Sequence, residues 1–301
     1  MSKALETKAD NERLTQLTNH LVELVQHKAG AVDLAAAVTR LGEELAQKAG
    51  VAQVDALATQ TGEKILGLTE ALETKAEEDH LLDAFYVSFE DRFRGTREDI
   101  KQRVAIYLPV VKEAKAGTKN ALILDIGCGR GEWLQLLREN DLVARGVDLN
   151  RVMVSQCQAL GLEVTETDAI AYLRGLEANS LGAVTGMHII EHIPFKRLVA
   201  LFDEVLRVLK PGGVAIFETP NPENLIVGAC NFYYDPTHLN PLPPEPMKFV
   251  MEARGFGRVE IMRLHPQPES AMLREGAAQV QQIVNGLLFG AQDYALVAYK
   301  S

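Results

Sequence analysis

The chain has 301 residues, of which 47% are hydrophobic and 24% charged, enough apolar mass for one large core and a smaller appended element. A formal net charge of -10, with no run of four or more Lys and Arg, excludes the electrostatic footprint of a nucleic-acid binder. Cys128, Cys157 and Cys230 lack CxxC spacing and fit free thiols of a reducing compartment, while a charged N-terminus and the lack of any run of 18 apolar residues speak against a signal peptide or membrane span, so a cytoplasmic protein is expected.

Residues 1–80 have helix-former composition, without proline and with almost no aromatics. Leu14, Leu17, Leu21 and Leu24 repeat at three and four residues, and the stripe resumes through Leu34, Val38, Leu41 and Leu45. So thin a stripe does not bury itself within one chain, which predicts a coiled coil and a homo-oligomer, dimer or trimer. A hairpin broken at Gly30, Gly42, Gly50 or Gly62 and folded onto the rest of the chain is the alternative. Residues 81–119 read as a helical cap, turning at Gly95 and restarting at Thr96 with Asp99 three residues on.

Residues 120–301 alternate short apolar runs with helical stretches, the pattern of a parallel sheet with crossover helices. Strands are expected at 121–126, 142–148, 163–165, 183–190, 213–219, 257–263 and 294–300. Seven such strands predict an α/β, Rossmann-like doubly wound sheet whose ligand lies at the strands' carboxyl ends.

The stretch Ile123 to Trp133 carries the sharpest signal: an apolar strand, Asp125, then Gly127, Gly129 and Gly131, then a helix. The spacing is not the dinucleotide G-x-G-x-x-G, because Glu132 stands at the third position. Asp125 and Glu132 at the helix mouth would repel a phosphate and suit a cation. This D-x-G-x-G-x-G turn resembles the first motif of class I S-adenosylmethionine-dependent methyltransferases. Further landmarks of that family follow in order: Gly146-Val147-Asp148, Thr167-Asp168-Ala169, His188-Ile189-Ile190-Glu191-His192, and Leu209-Lys210-Pro211-Gly212-Gly213. Gly182-Ala183 stands where an acidic residue often opens strand four. The resemblance implies S-adenosylmethionine as cofactor, held by Asp125, Gly127, Gly129, Gly131, Asp148, Leu149, Asp168, Ala169 and His188, with Asp148 on the ribose hydroxyls and Asp168 at the adenine amino group.

Methyl transfer to a hydroxyl asks for a base at the acceptor side, and His192 and His238 are the catalytic candidates. Tyr233, Tyr234 and Arg94 are candidate acceptor contacts, with Arg92 and Arg97 beside Arg94. His188-x-x-Glu191-His192 also matches a zinc peptidase pattern, but that chemistry needs one helix carrying both histidines. A strand followed by Pro194 is expected there instead, so no metal is expected. FEDRFRGTREDIKQRVAIYLP and DPTHLNPLPPE resemble bacterial methyltransferases of polysaccharide biosynthesis, including O-antigen chain terminators that carry coiled coils. No kinase domain accompanies them here. The resemblance implies a sugar hydroxyl as acceptor, without nucleic-acid partners. A quinone or metabolite methyltransferase, or a coiled-coil scaffold with an inactive domain, are the alternative readings.

Overall fold

A computed structural model describes residues 80–301; the expected coiled coil and its self-association lie outside the described residues. Among the described residues no helix is long and apolar enough to cross a membrane. The cap folds as α1 (Asp83–Phe93), α2 (Arg97–Val104) and α3 (Leu108–Glu113). Thr96 caps α2 by accepting a hydrogen bond from the Asp99 backbone N–H, as the spacing predicts.

Seven strands follow: β1 (Ile123–Ile126), β2 (Ala144–Asp148), β3 (Val164–Glu166), β4 (Leu181–Met187), β5 (Leu209–Pro220), β6 (Arg258–Pro266) and β7 (Ala291–Tyr299). They form one sheet in the order β3-β2-β1-β4-β5-β7-β6, parallel except where β7 inserts antiparallel between β5 and β6. Strand order reverses between β1 and β4, which opens a crevice beyond their carboxyl ends.

Alternation along each strand divides the core between two faces. Leu124, Ile126, Ala215 and Phe217 face α6 (Ala169–Arg174), α7 (Phe195–Val208) and α9 (Pro244–Ala253). Ile123, Val214 and Ile216 pack against Ile100, Val104, Tyr107 and Val111 of the cap and Trp133 and Leu137 of α4 (Glu132–Glu139). On α7, Leu198, Leu201, Phe202, Val205 and Val208 make one buried stripe at helical spacing. The other helices are α5 (Arg151–Ala159), α8 (Leu225–Ala229) and α10 (Ala278–Leu288).

Two of the departures from the expected strand bounds have a local cause. The Leu209 to Gly213 turn is instead an irregularity inside β5: Leu181 pairs with Leu209 and Ala183 with Val214, the extra residues bulging out with Gly212 at φ +77°. β4 stops at Met187 rather than Ile190, because His188 takes a left-handed φ of +56° and turns the chain out of the sheet.

Candidate active site

Gly127, Gly129 and Gly131 carry the chain from β1 into α4 at φ of +62°, +52° and +78°. Their surroundings differ. A Cβ at Gly127 would meet Ile189 Cδ1 at 2.7 Å, and one at Gly131 would meet Cys157 Sγ and Leu162 Cδ1 at 2.7 Å, so protein rather than ligand excludes a side chain at both. Gly129 alone of the three has room for a Cβ, which would meet Glu90 Oε2 of α1 at 3.6 Å and Met153 Sδ at 3.9 Å. That oxygen is buried and has no hydrogen-bond partner, while Glu90 Oε1 accepts from Arg94 Nη1 at 2.8 Å.

Asp148, at the end of β2, clasps the turn: its carboxylate accepts from the Gly129 N–H and the Asn150 N–H, each at 2.8 Å, and burial pushes its pKa up. Leu149 is 59% exposed beside it, an open apolar platform. Asp125 accepts from Thr185 Oγ1 at 2.7 Å, and that hydroxyl in turn accepts from Trp133 Nε1 at 3.1 Å. Burial lifts Asp125 to about 7. Glu132, by contrast, pairs with Arg130 at 2.8 Å.

Across Glu90 and Arg94 lies a cavity of about 380 Å³ between α1, the end of β4 and the loop after β5. His188 sits in a cage of carboxylates, 3.3 Å from Glu218, 3.4 Å from Glu191 and 3.8 Å from Asp293. Burial opposes its charge, yet these neighbours overcome it and raise the imidazole to about 10. Glu191 is driven down to about 2, its burial outweighed by His188, and Thr219 Oγ1 donates to its second oxygen at 2.9 Å.

His192 and His238 come together, ring centroids 4.7 Å apart, because the Leu239 N–H bonds the Glu191 carbonyl and pins the two loops. Thr237 Oγ1 donates to Asp235 Oδ1 at 2.6 Å and lies 2.9 Å from His192 Nδ1, so it accepts from an Nδ1–H and leaves Nε2 as the free acceptor. Tyr86 Oη donates to the other Asp235 oxygen at 2.7 Å. His238 donates through Nδ1 to the Phe232 carbonyl at 2.6 Å, which also leaves its Nε2 free. Burial holds His192 below the usual imidazole range.

The family model of the methyltransferase domain matches residues 96–261, spanning this turn and both of these loops. A SAM dependent methyltransferase from Archaeoglobus fulgidus, of known crystal structure, is 36% identical and superposes with a TM-score of 0.65 over 72% of this chain and 100% of its own. The chain belongs to the S-adenosylmethionine-dependent methyltransferases. This methyltransferase is also 25% identical over 174 residues to a ubiquinone biosynthesis O-methyltransferase of Psychrobacter arcticus, covering 52% of the chain and 67% of that relative. It is 28% identical to a mouse tRNA (carboxymethyluridine(34)-5-O)-methyltransferase over 49% of the chain and only 20% of that protein.

The residues present fit the cofactor. A buried Glu90 oxygen beside Gly129 makes no hydrogen bond, only a 3.9 Å ion pair with Arg130 Nε, and together with the Asp148 carboxylate it offers negative charge to a cation. The remaining expected cofactor residues have protein partners of their own. Asp168 caps α6 through the Ala171 N–H and pairs with Arg197, Ala169 opens that helix, and His188 lines the cavity beyond Glu90 and Arg94. Among the expected acceptor contacts, Arg94 and Tyr234 line the cavity, whereas Tyr233 does not and packs edge-on against Phe232. Arg97 reaches the Arg130 carbonyl and Gln135, and Arg92 lies over Phe93.

Sequence reasoning missed Glu90, Tyr86, Glu218 and Asp293. The four-residue spacing of Glu90 and Arg94 on a helix was the one local signal for the first. Asp235 and Thr237 do make the expected turn, through the Thr237 N–H, but the same hydroxyl also reaches His192.

Proposed function

We propose that this methyltransferase O-methylates a hydroxyl of a polyhydroxylated acceptor, a sugar of a bacterial surface polysaccharide during its synthesis or chain termination in the cytoplasm. One observation carries the reading: Glu90, held by Arg94, stands both beside Gly129 and in the lining of the cavity that holds His192 and His238. Cofactor seat and acceptor seat thus share a boundary. The bound cofactor supplies an electrophilic methyl group on a sulfonium. Glu90 offers its free oxygen to the positive end of that molecule, and Asp148 holds the turn in shape.

His192 Nε2 takes the proton that the acceptor oxygen gives up as that oxygen gains the methyl group. Alignment by the cavity walls supplies much of the rate, and proton transfer a further ~10²–10⁴-fold. The lining mixes carboxylates, Glu218, Asp235 and Asp293, with the rings of Tyr86, Phe89 and Phe93. Carboxylates bind hydroxyl donors, and flat rings stack on the C–H faces of a pyranose. Both segments whose sequences resemble polysaccharide methyltransferases contribute to this lining. The Psychrobacter relative favours a second reading, a quinol acceptor. Incubating the purified chain with methyl-labelled S-adenosylmethionine and either glycan fragments or a quinol separates the two: label in glycan supports the proposal, and label only in quinol overturns it.

A further inference from the structure

We infer that Glu191, His192 and His238 form a binding site for a divalent transition-metal ion at the floor of the acceptor cavity. The inference rests on the proposed function only for where the acceptor sits. One ligand atom from each of the three side chains falls within 4.8 Å of the others. Glu191 is 1% exposed; Thr219 holds one of its oxygens, and the other, Oε1, makes no direct hydrogen bond and has His188 Nδ1 beside it at 3.4 Å. His238 Nε2 stands 3.9 Å from that same oxygen.

Both histidines are prepared as ligands usually are, each donating its other ring nitrogen to a fixed oxygen. For His238 the acceptor is the Phe232 carbonyl, and for His192 it is the Thr237 hydroxyl, itself tied to Asp235. The bond from the Leu239 N–H to the Glu191 carbonyl fixes the two loops in register, so the donor set does not depend on a flexible contact. His188 faces Glu191 Oε1 at 3.4 Å, and Glu218 and Asp293 stand against its charge from the other side. Asp235 Oδ2, 3.9 Å from His238 Nε2, adds a further negative charge on the ligand side.

Two imidazoles and one carboxylate leave coordination positions open toward the cavity and select Zn²⁺, Co²⁺ or Fe²⁺ over Mg²⁺ or Ca²⁺. This is not the zinc peptidase arrangement, since His188 is no ligand and Glu191 is one. An ion here would take the acceptor hydroxyl at an open position and lower its pKa, the proton leaving to water. His192 is then a ligand, and without the ion it takes the proton itself.

The test titrates the tag-free full chain with Co²⁺ alone, followed by its visible d–d absorption, and displaces it with Zn²⁺. One equivalent should bind, His238→Gln and His192→Gln should each abolish the signal, and Asp235→Asn should weaken it about 10–100-fold. Circular dichroism and the heat of S-adenosylhomocysteine binding check that each variant is folded. No stoichiometric binding, or equal binding in folded His238→Gln, overturns the inference. S-adenosylhomocysteine heat that persists in a chain that takes no ion leaves the proposed function standing; loss of that heat in the wild type brings down the proposed function instead.

Discussion

The two halves of this crevice are made in different ways. On the cofactor side, one continuous stretch from Asp125 to Glu132 shapes its own backbone, and Asp148 holds it from the neighbouring strand. On the proposed acceptor side no single stretch suffices: Tyr86, His192, and Asp235 with Thr237 arrive from three separate segments and meet through side-chain hydrogen bonds. The first half is fixed by backbone conformation, which tolerates no side chain at two of its glycines. The second is fixed by hydrogen-bonding partners and can be altered one group at a time, so the two functions should come apart under mutation.

The largest effect expected from that separation is on the acceptor side. His192→Ala should lower kcat by about 10²–10⁴-fold while leaving S-adenosylhomocysteine affinity unchanged in calorimetry. A matching loss of affinity would mean that the halves are one site. Next comes a contrast within the turn. Gly131→Ala forces a side chain into Cys157 and Leu162 at φ +78° and should cost about 2–5 kcal/mol in urea unfolding. Gly129→Ala meets Glu90 and Met153 only at ordinary contact distance and should cost about 1–2 kcal/mol for its φ, yet weaken cofactor binding more. Equal unfolding costs would erase the distinction between packing glycine and ligand-facing glycine.

Asp125 gives a pH test of the cofactor side. Its carboxyl is held at about 7 in the fold against an ordinary 3.8. Between those values the folded chain keeps a proton that the unfolded chain has lost, so stability falls as pH rises through that window. The loss is at most about 4 kcal/mol and is complete above about pH 7. Asp125→Asn should flatten the slope measured by chemical unfolding, and an unchanged slope would assign it to another group. The smallest effect concerns Asp168. Its pair with Arg197 is exposed, so Arg197→Ala should change stability by under about 1 kcal/mol. A larger loss would make Asp168 a structural residue and remove it from the cofactor side.

The same contrast explains what could be read from the sequence. Strands buried on both faces, such as β1 and β4, declare themselves as apolar runs, and all seven strands were legible within a few residues. The glycine turn and Asp148 were legible because their spacing along the chain is their geometry. His192 and His238 were legible as candidates by type, but their meeting was not, since a backbone bond from Leu239 to Glu191 joins segments 48 residues apart. Glu90 was hidden for the same reason: its free oxygen matters only because α1 lies over Gly129. The premature end of β4 depends on one left-handed residue, His188; histidine takes positive φ more readily than most residues, but the apolar run on both sides of it reads as continuous strand.

The most direct measurement is a calorimetric titration of the full chain with S-adenosylhomocysteine and, separately, with NAD. The carboxylate-rimmed turn should give saturable heat with the first, none with the second, and markedly weaker binding in Asp148→Ala. Binding of NAD, or S-adenosylhomocysteine affinity untouched by the loss of Asp148, would contradict a crevice shaped for a cationic nucleoside.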